Sequence, residues 1–135
     1  MAKNLPRTTR GSYLVNNFHY LNVNPKHKKE PDCVTRAICL ALQIPYSMVS
    51  RMLTDNGDIY TCDDLRVMCY SKLLSNEFGL KSYNGRGRTV GEIADIYKCN
   101  KLLLRIDGHL TCAIDGIVYD IWDCTNEICD IYWVI

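Results

Sequence analysis

Cys33 is the residue whose type and position most clearly indicate chemistry. It follows Asp32 in the stretch EPDCVTRAICLAL, residues 30–42, where apolar residues recur at the spacing of one helical face: Val34, Ala37, Ile38 and Ala41. This pattern predicts a helix with Asp32 at its N-cap and Cys33 in its first turn. Because unpaired N–H groups and the helix dipole favour a thiolate there, Cys33 is the candidate nucleophile.

His109 is the candidate base for this thiol. A negatively charged cap next to Cys33 disfavours the thiolate, so a positive group must compensate, and histidine is the usual partner of a catalytic thiol. The chain has three histidines; His19 and His27 fall in an irregular N-terminal segment, whereas His109 follows Gly108 at the start of a predicted strand. Taken alone, a strand histidine usually carries no chemistry.

A predicted hairpin supplies the third candidate. The dipeptide Asp-Gly at residues 115–116 separates two strand-like runs and predicts a two-residue turn. In that register Asp120 falls on the same face as His109, as a diagonal neighbour, whereas Asp123 falls on the opposite face and Trp122 lies across from His109. Asp120 is therefore the carboxylate expected to orient the imidazole.

The remaining cysteines leave a second interpretation open. Most of the eight cysteines fall inside apolar stretches, so Cys33 could also be one of several small buried hydrophobes. Cys62, just before another predicted helix start, is a weaker rival nucleophile. The chain shows no secretory signal pattern, so we expect a cytoplasmic protein with all its thiols reduced.

The elements that must position these residues are helices first and strands afterwards. Beyond the Cys33 helix, we expect helices from Tyr46 to Leu53, ending before a turn at Asn56 and Gly57, then from after residue 64 to about residue 78, and from a capping box at residues 89–92 to about residue 97. The third helix should bury a stripe formed by Leu65, Met68, Cys69 and Leu73. Four strand-like runs follow: KLLLRI, HLTCAI, IVYDIW and ICDIYWVI.

Length and composition fit one globular domain. The chain has 135 residues, 47% of them hydrophobic, with 16 basic and 15 acidic groups, so its overall charge indicates no particular partner. The order of elements predicts an α+β domain over residues 32–135, preceded by a basic arm or loop over residues 1–31. Its longest apolar runs are too short to cross a bilayer, so we expect no membrane association.

The stretches NPKHKKEPDCVTRAI and GHLTCAIDGIVYDIWDCTN, with a closing YW, carry a family resemblance. From Asn24 to Trp133 the chain resembles the papain-like cysteine peptidase fold, and more narrowly a family of small proteins encoded by bacteriophages and prophages, similar in order to bacteriocin-leader peptidases. The resemblance implies a helical half, led by the Cys33 helix, that packs on an antiparallel sheet. It makes Cys33 the nucleophile, His109 the general base and acid, and Asp120 the orienting group.

The same resemblance implies a polar side chain before the cysteine that completes an oxyanion hole, often glutamine. No glutamine precedes Cys33 in this chain. Asn24 is the nearest amide, and the backbone N–H of Cys33 would be the other donor.

Together these features predict a cysteine-dependent hydrolase, either a peptidase or a related amide or thioester acyl-transfer enzyme. Its substrate would be a protein or peptide, in the cytoplasm of a bacterial host if the chain is phage-encoded. No cofactor is implied, and no metal is expected because the cysteines show no CxxC spacing. The alternative is a binding protein on an inactive papain-like scaffold, with nucleic acid as a ligand of five basic residues: Lys26, Lys28, Lys29, Arg86 and Arg88.

Overall fold

The computed structural model of the chain describes residues 17–135. Within this range it has four helices and six strands: β1 (Phe18–Tyr20), α1 (Cys33–Leu42), α2 (Tyr46–Tyr60), α3 (Val67–Asn76), β2 (Ser82–Asn84), α4 (Val90–Ile96), β3 (Lys101–Ile106), β4 (His109–Ile114), β5 (Ile117–Asp120) and β6 (Ile131–Val134). Most of the helical residues precede most of the sheet, and the predicted α+β class is confirmed. Residues 1–16 of the predicted arm lie outside the described residues.

The strands form one mixed sheet in the order β1-β5-β4-β3-β6-β2. Neighbouring strands are antiparallel except β1 and β5, which are parallel. A purely antiparallel sheet was therefore a wrong expectation at this edge, as was irregular structure through Phe18–Tyr20. Three residues are too few to show a strand period, and their partners lie near the other end of the sequence.

Each face of the sheet carries a hydrophobic core. The helices α1, α2 and α3 pack on one face, against Leu103 and Leu110, whereas α4 packs on the other, against Leu102 and Leu104. Successive residues of β3 therefore face different cores, which explains why its apolar run is continuous. Burying each leucine contributes about 1.5–3 kcal/mol of transfer free energy.

The β4–β5 hairpin has the predicted register. Ile114 pairs with Ile117, and the two turn residues between them, Asp115 and Gly116, have φ angles of 53° and 83°. Positive φ at both positions is what a tight type I′ turn requires, and Asp-Gly meets that requirement at low cost. The turn thereby determines which face of β5 carries Asp120.

The α2 helix continues through Asn56 and Gly57, so its predicted end at Leu53 is wrong. Asn56 is buried and its Nδ2 donates to the carbonyl oxygen of Cys69 at 2.9 Å. A Cβ at Gly57 would lie 3.0 Å from the carbonyl oxygen of Cys62. Tertiary contacts thus keep in the helix two residues that locally favour a turn.

The α3 helix begins at Val67, later than the predicted stripe requires. Leu65 and Met68 are 42% and 79% exposed, which corrects half of that stripe. The buried residues of α3 are Cys69, Tyr70, Leu73 and Leu74. The predicted stripe has the wrong helical phase because Leu65 precedes the first residue of α3, Val67.

Cys62 and Cys69 form a disulfide across the turn between α2 and α3. The expectation that every cysteine is reduced is therefore wrong for this pair, and Cys62 cannot act as a nucleophile while the bond is intact. The loop brings the two Cα atoms within 5.7 Å, a contact that the linear spacing does not reveal. The free cysteines are Cys33, Cys39, Cys99, Cys112, Cys124 and Cys129.

The predicted capping box at the start of α4 is present. The Thr89 side chain accepts from the N–H of Glu92, and the Glu92 carboxylate accepts from the N–H of Thr89. Among residues 17–135, no single helix is long and apolar enough to cross a membrane; α1 and α2 reach that length and composition only as a pair bent by 118°.

Candidate active site

Cys33 is the first residue of α1, as the sequence predicted. The first backbone bond of the helix runs from the N–H of Arg36 to the carbonyl oxygen of Asp32, at 2.9 Å. The N–H groups of the residues before Arg36 have no partner within the helix and point out of its N-terminus. The half-buried thiol therefore lies beside donors that could bind a negatively charged oxygen.

His109 and Asp120 meet at one end of the sheet. His109 is the first residue of β4 and Asp120 the last of β5, and the two strands are antiparallel. Nε2 of His109 lies 2.6 Å from Oδ2 of Asp120, and their side chains are only 12% and 2% exposed. The predicted same-face relationship is thus a direct hydrogen bond in the structure.

The His109 imidazole also acts on the thiol of Cys33, and the two residues line the same cleft. Burial by itself raises the pKa of Cys33, but hydrogen bonds from His109 and from the N–H of Leu110 oppose it, as do the charges of His109 and Arg36. The net result is a thiol pKa below its ordinary value. Because Nε2 is occupied by Asp120, Nδ1 is the ring nitrogen left for the thiol.

The pKa of His109 moves in the opposite direction. Burial lowers the pKa of the imidazole, but hydrogen bonds with Asp120, Cys124 and Cys33 outweigh that effect and raise it to about 11. A lowered thiol pKa and a raised imidazole pKa favour the thiolate–imidazolium pair over the neutral pair. The arrangement can therefore hold a charged nucleophile next to a proton donor.

Arg36 belongs to this site, although the sequence-based reasoning did not single it out. Its Nε lies 2.7 Å from Oδ1 of Asp32, and its Nη1 lies 3.1 Å from Oδ1 of Asp120. The guanidinium therefore neutralises the carboxylate beside Cys33 that the sequence suggested would oppose a thiolate. The four-residue spacing of Asp32 and Arg36 was the available signal, because residues at that spacing are neighbours on a helix.

Asn24, the nearest amide before Cys33 in the sequence, is not free to complete an oxyanion hole, which corrects that expectation. Its side-chain nitrogen donates to Oε2 of Glu30 at 2.8 Å and to Oδ2 of Asp32 at 3.0 Å. Asp32 also accepts from the hydroxyl of Tyr46 at 2.6 Å. Asn24 is 4% exposed and does not line the cleft that contains Cys33. Its amide stabilises the chain before α1, and the N-terminus of α1 remains as the candidate oxyanion site.

Cys33 and His109 line a cleft of about 600 Å³. Residues of the disulfide-closed turn, including Leu65, form one wall, and the residues on both sides of His109 and after β5, including Trp122, form the other. The ring centroids of Trp122 and His109 are 5.2 Å apart. Trp122 therefore covers part of the imidazole from solvent, the position that the hairpin register predicted for it.

Three potential metal ligands also lie close together here. Atoms of His109, Asp120 and Cys124 are within 4.8 Å of one another. Two ligand atoms on a tetrahedral zinc ion are about 3.3 Å apart, given Zn–N and Zn–O bonds of about 2.0–2.1 Å. The 2.6 Å separation of His109 Nε2 and Asp120 Oδ2 is that of a hydrogen bond instead, so the arrangement fits an acid–base pair better than a zinc site.

The basic residues proposed for nucleic acid do not come together. Lys26, Lys28, Lys29, Arg86 and Arg88 are all exposed. The lysines follow β1 and the arginines follow β2, and these strands are the opposite edges of the sheet. Nucleic-acid binding stays a prediction that no single basic surface on the described residues supports.

Comparison of the chain with protein-family models, with curated proteins and with solved structures gave no match.

Proposed function

We propose that this chain is a cysteine-dependent acyl-transfer enzyme, most simply a hydrolase of an amide or thioester in a protein or peptide. The observation that carries the proposal is the position of His109, which lines one cleft with Cys33, lowers the pKa of its thiol and is held by Asp120 at 2.6 Å. A thiol, a base and an orienting carboxylate in this sequence of contacts form the arrangement by which enzymes activate a nucleophile.

The proposed reaction has two halves. In the first, the Cys33 thiolate attacks the carbonyl carbon, and the resulting oxyanion accepts hydrogen bonds from N–H groups at the start of α1. His109 gives its Nδ1 proton to the leaving nitrogen or sulfur, the bond from carbon to the leaving group breaks, and a thioester remains on Cys33. In the second half, His109 takes a proton from water, the hydroxide attacks the thioester, and the C–S bond breaks to release the acid and the thiolate.

We also propose that the fold is papain-like. The support is the order of the elements: a helix that begins with the nucleophile comes first, and an antiparallel pair of strands that carries the histidine and then the aspartate follows. A bacteriophage or prophage source with a target inside a bacterial cytoplasm belongs to the same proposal. Function does not follow from a fold alone, so the proposal depends on the site.

The function can be tested without knowing the substrate, with p-nitrophenyl acetate as an acyl donor. Wild-type protein should release nitrophenolate in a burst and carry an acetyl group on Cys33, detected by mass spectrometry of peptides. Cys33→Ala should abolish the burst, and His109→Ala should slow both acylation and turnover. Cys99, an exposed free cysteine, serves as the internal reference. Equal acetylation of Cys33 and Cys99 in the wild type would contradict the proposal.

A further inference from the structure

We propose that Arg36 is the positioning residue of this site, whose guanidinium holds Asp120 in the orientation that His109 requires. This inference rests on the proposed function, because a positioning role has meaning only if the Cys33–His109 pair is reactive. Arg36 is 5% exposed and contacts two buried carboxylates, Asp32 and Asp120. A buried arginine between two carboxylates is costly to desolvate, and such an ion pair often adds no net stability over apolar residues of similar volume.

The two oxygens of Asp120 have separate partners. Oδ1 accepts from Nη1 of Arg36 at 3.1 Å and from the N–H of Ile121 at 2.7 Å. Oδ2 faces Nε2 of His109 at 2.6 Å. The carboxylate cannot rotate without breaking both hydrogen bonds to Oδ1, so Arg36 and the N–H of Ile121 together direct Oδ2 at the imidazole.

Arg36 also links the base to the element that carries the nucleophile. It lies about one turn after Cys33 on α1, and its contact with Asp120 ties that helix to the end of β5. On its other side, Nε is held by Oδ1 of Asp32 at 2.7 Å. One helix thus positions the thiol directly and the imidazole through Arg36 and Asp120, which fixes their separation.

The choice of arginine suits this task. Burial lowers the pKa of Arg36, but hydrogen bonds to Asp32 and Asp120 outweigh that effect and raise it, so the side chain stays charged. A guanidinium presents several donors in one plane and can bind two carboxylates from different directions, whereas a lysine ammonium on a flexible chain is a single point charge. We therefore expect lysine at this position to preserve charge without preserving the orientation of Asp120.

The test compares three variants: Arg36→Gln, Arg36→Lys and a double variant that combines Asp32→Asn with Arg36→Gln. The double variant is called the charge-balanced pair because it removes one negative and one positive charge. Arg51→Gln, an exposed substitution on α2, is the matched control. Two readouts are recorded on folded protein: the pH midpoint of Cys33 alkylation, and the titration of the His109 ring nitrogens by NMR. Besides Asp120 and Cys124, the other ionisable groups at the cleft stay unchanged in every variant: Glu30, Asp63, Arg66, Tyr70, Arg105 and Asp107.

If Arg36 has a positioning role, the titration midpoints of His109 and Cys33 in the charge-balanced pair should still differ from those of the wild type. In that pair the His109 midpoint should fall and the Cys33 midpoint should rise by about one pH unit, which is about a tenfold loss of alkylation rate below the midpoint. Arg36→Lys should be impaired in the same direction, and Arg51→Gln should match the wild type. Because the paired variant leaves no unpartnered charge at Asp32, it keeps the test informative if Arg36→Gln fails to fold.

Wild-type midpoints in the charge-balanced pair would overturn the inference, since Arg36 would then act only by neutralising Asp32. A different result would contradict the proposed function: the alkylation of Cys33 in the wild type would have the pH midpoint of an ordinary thiol. In that case the His109 titration still decides the role of Arg36, because it reports the contact with Asp120 directly.

Discussion

Nε2 of His109 lies 2.6 Å from Oδ2 of Asp120, with both side chains shielded from solvent. Together with Arg36, this contact offsets the charge of Asp32 at the start of α1, which would otherwise make the Cys33 thiolate less favourable. The Arg36 guanidinium neutralises the carboxylate of Asp32, and Asp120 holds the imidazolium next to the thiol. The pKa of Asp120 lies below its ordinary value of 3.8, because hydrogen bonds from His109 and from the N–H of Ile121 outweigh its burial.

Replacing Asp120 by Asn should uncouple the imidazole from its acceptor. The pKa of His109 should fall from about 11 toward its ordinary value of 6.5, as measured by NMR titration of the ring nitrogens. The free energy of unfolding should also fall by about 3 kcal/mol, because Arg36 loses one of its two buried partners. Asp123→Asn is the matched control, since Asp123 accepts only from Thr125 among the described contacts. An unchanged His109 titration in Asp120→Asn would contradict the assignment.

The His109–Asp120 contact should make stability depend on pH. The folded pKa of His109 is above the unfolded value of about 6.5, so its contribution is complete below that pH and is lost progressively as pH rises toward about 11. In a Cys33→Ala background, where the thiol cannot titrate, the further change His109→Gln should therefore cost more stability at about pH 6 than at about pH 9. Urea denaturation at the two pH values measures this. An equal cost at both would show that folding does not raise the pKa of His109, which contradicts the assignment.

Cys33→Ala should change stability little, because the thiol is half-buried and lies at a helix end. We expect less than about 1 kcal/mol at about pH 6. Cys112→Ala is the comparison: Cys112 is fully buried in the core between α1 and the sheet, and its removal should cost about 1–2 kcal/mol. Urea denaturation distinguishes the two. A larger loss for Cys33 than for Cys112 would support the buried-hydrophobe interpretation of Cys33.

Reduction of the Cys62–Cys69 disulfide should destabilise the protein. The bond joins residues 7 apart in sequence, and closing a loop of that size stabilises the fold by about 2.5 kcal/mol through the entropy of the unfolded chain. Because this loop forms one wall of the cleft, reduction should also speed amide hydrogen exchange in residues 63–67. Cys62→Ala with Cys69→Ala should reproduce both effects. Unchanged exchange after reduction would show that packing alone holds this wall.

The parts of the site that follow from local rules could be predicted from the sequence. The Asp-Gly turn fixes a register, and because side chains alternate with a period of two, that register selected Asp120 over Asp123. The position of Cys33 followed from the apolar period of α1. Both predictions depend on residues that are close in sequence, where geometry leaves few alternatives.

The rest depends on contacts between distant residues. Asn56 and Gly57 resemble a turn, and only the packing of the following loop and Cys69 keeps them helical. Asn24 is the nearest amide before Cys33 in the sequence, but Glu30 and Asp32 occupy it in the fold. Neither the disulfide nor the edge strand β1 produces a local pattern, so no periodicity could reveal them.

A thiolate–imidazolium pair of Cys33 and His109 underlies the proposed function, and the pH dependence of alkylation at Cys33 reports whether the pair exists. The rate of iodoacetamide modification at each free cysteine should be followed against pH by mass spectrometry, in native wild-type protein and in His109→Ala. We predict that Cys33 alone reacts fast below about pH 7, where an ordinary thiol with a pKa of about 8.5 is mostly protonated, and that His109→Ala removes this advantage. If Cys33 instead reacts no faster than Cys99 in the wild type, or equally fast without His109, the two residues form no such pair.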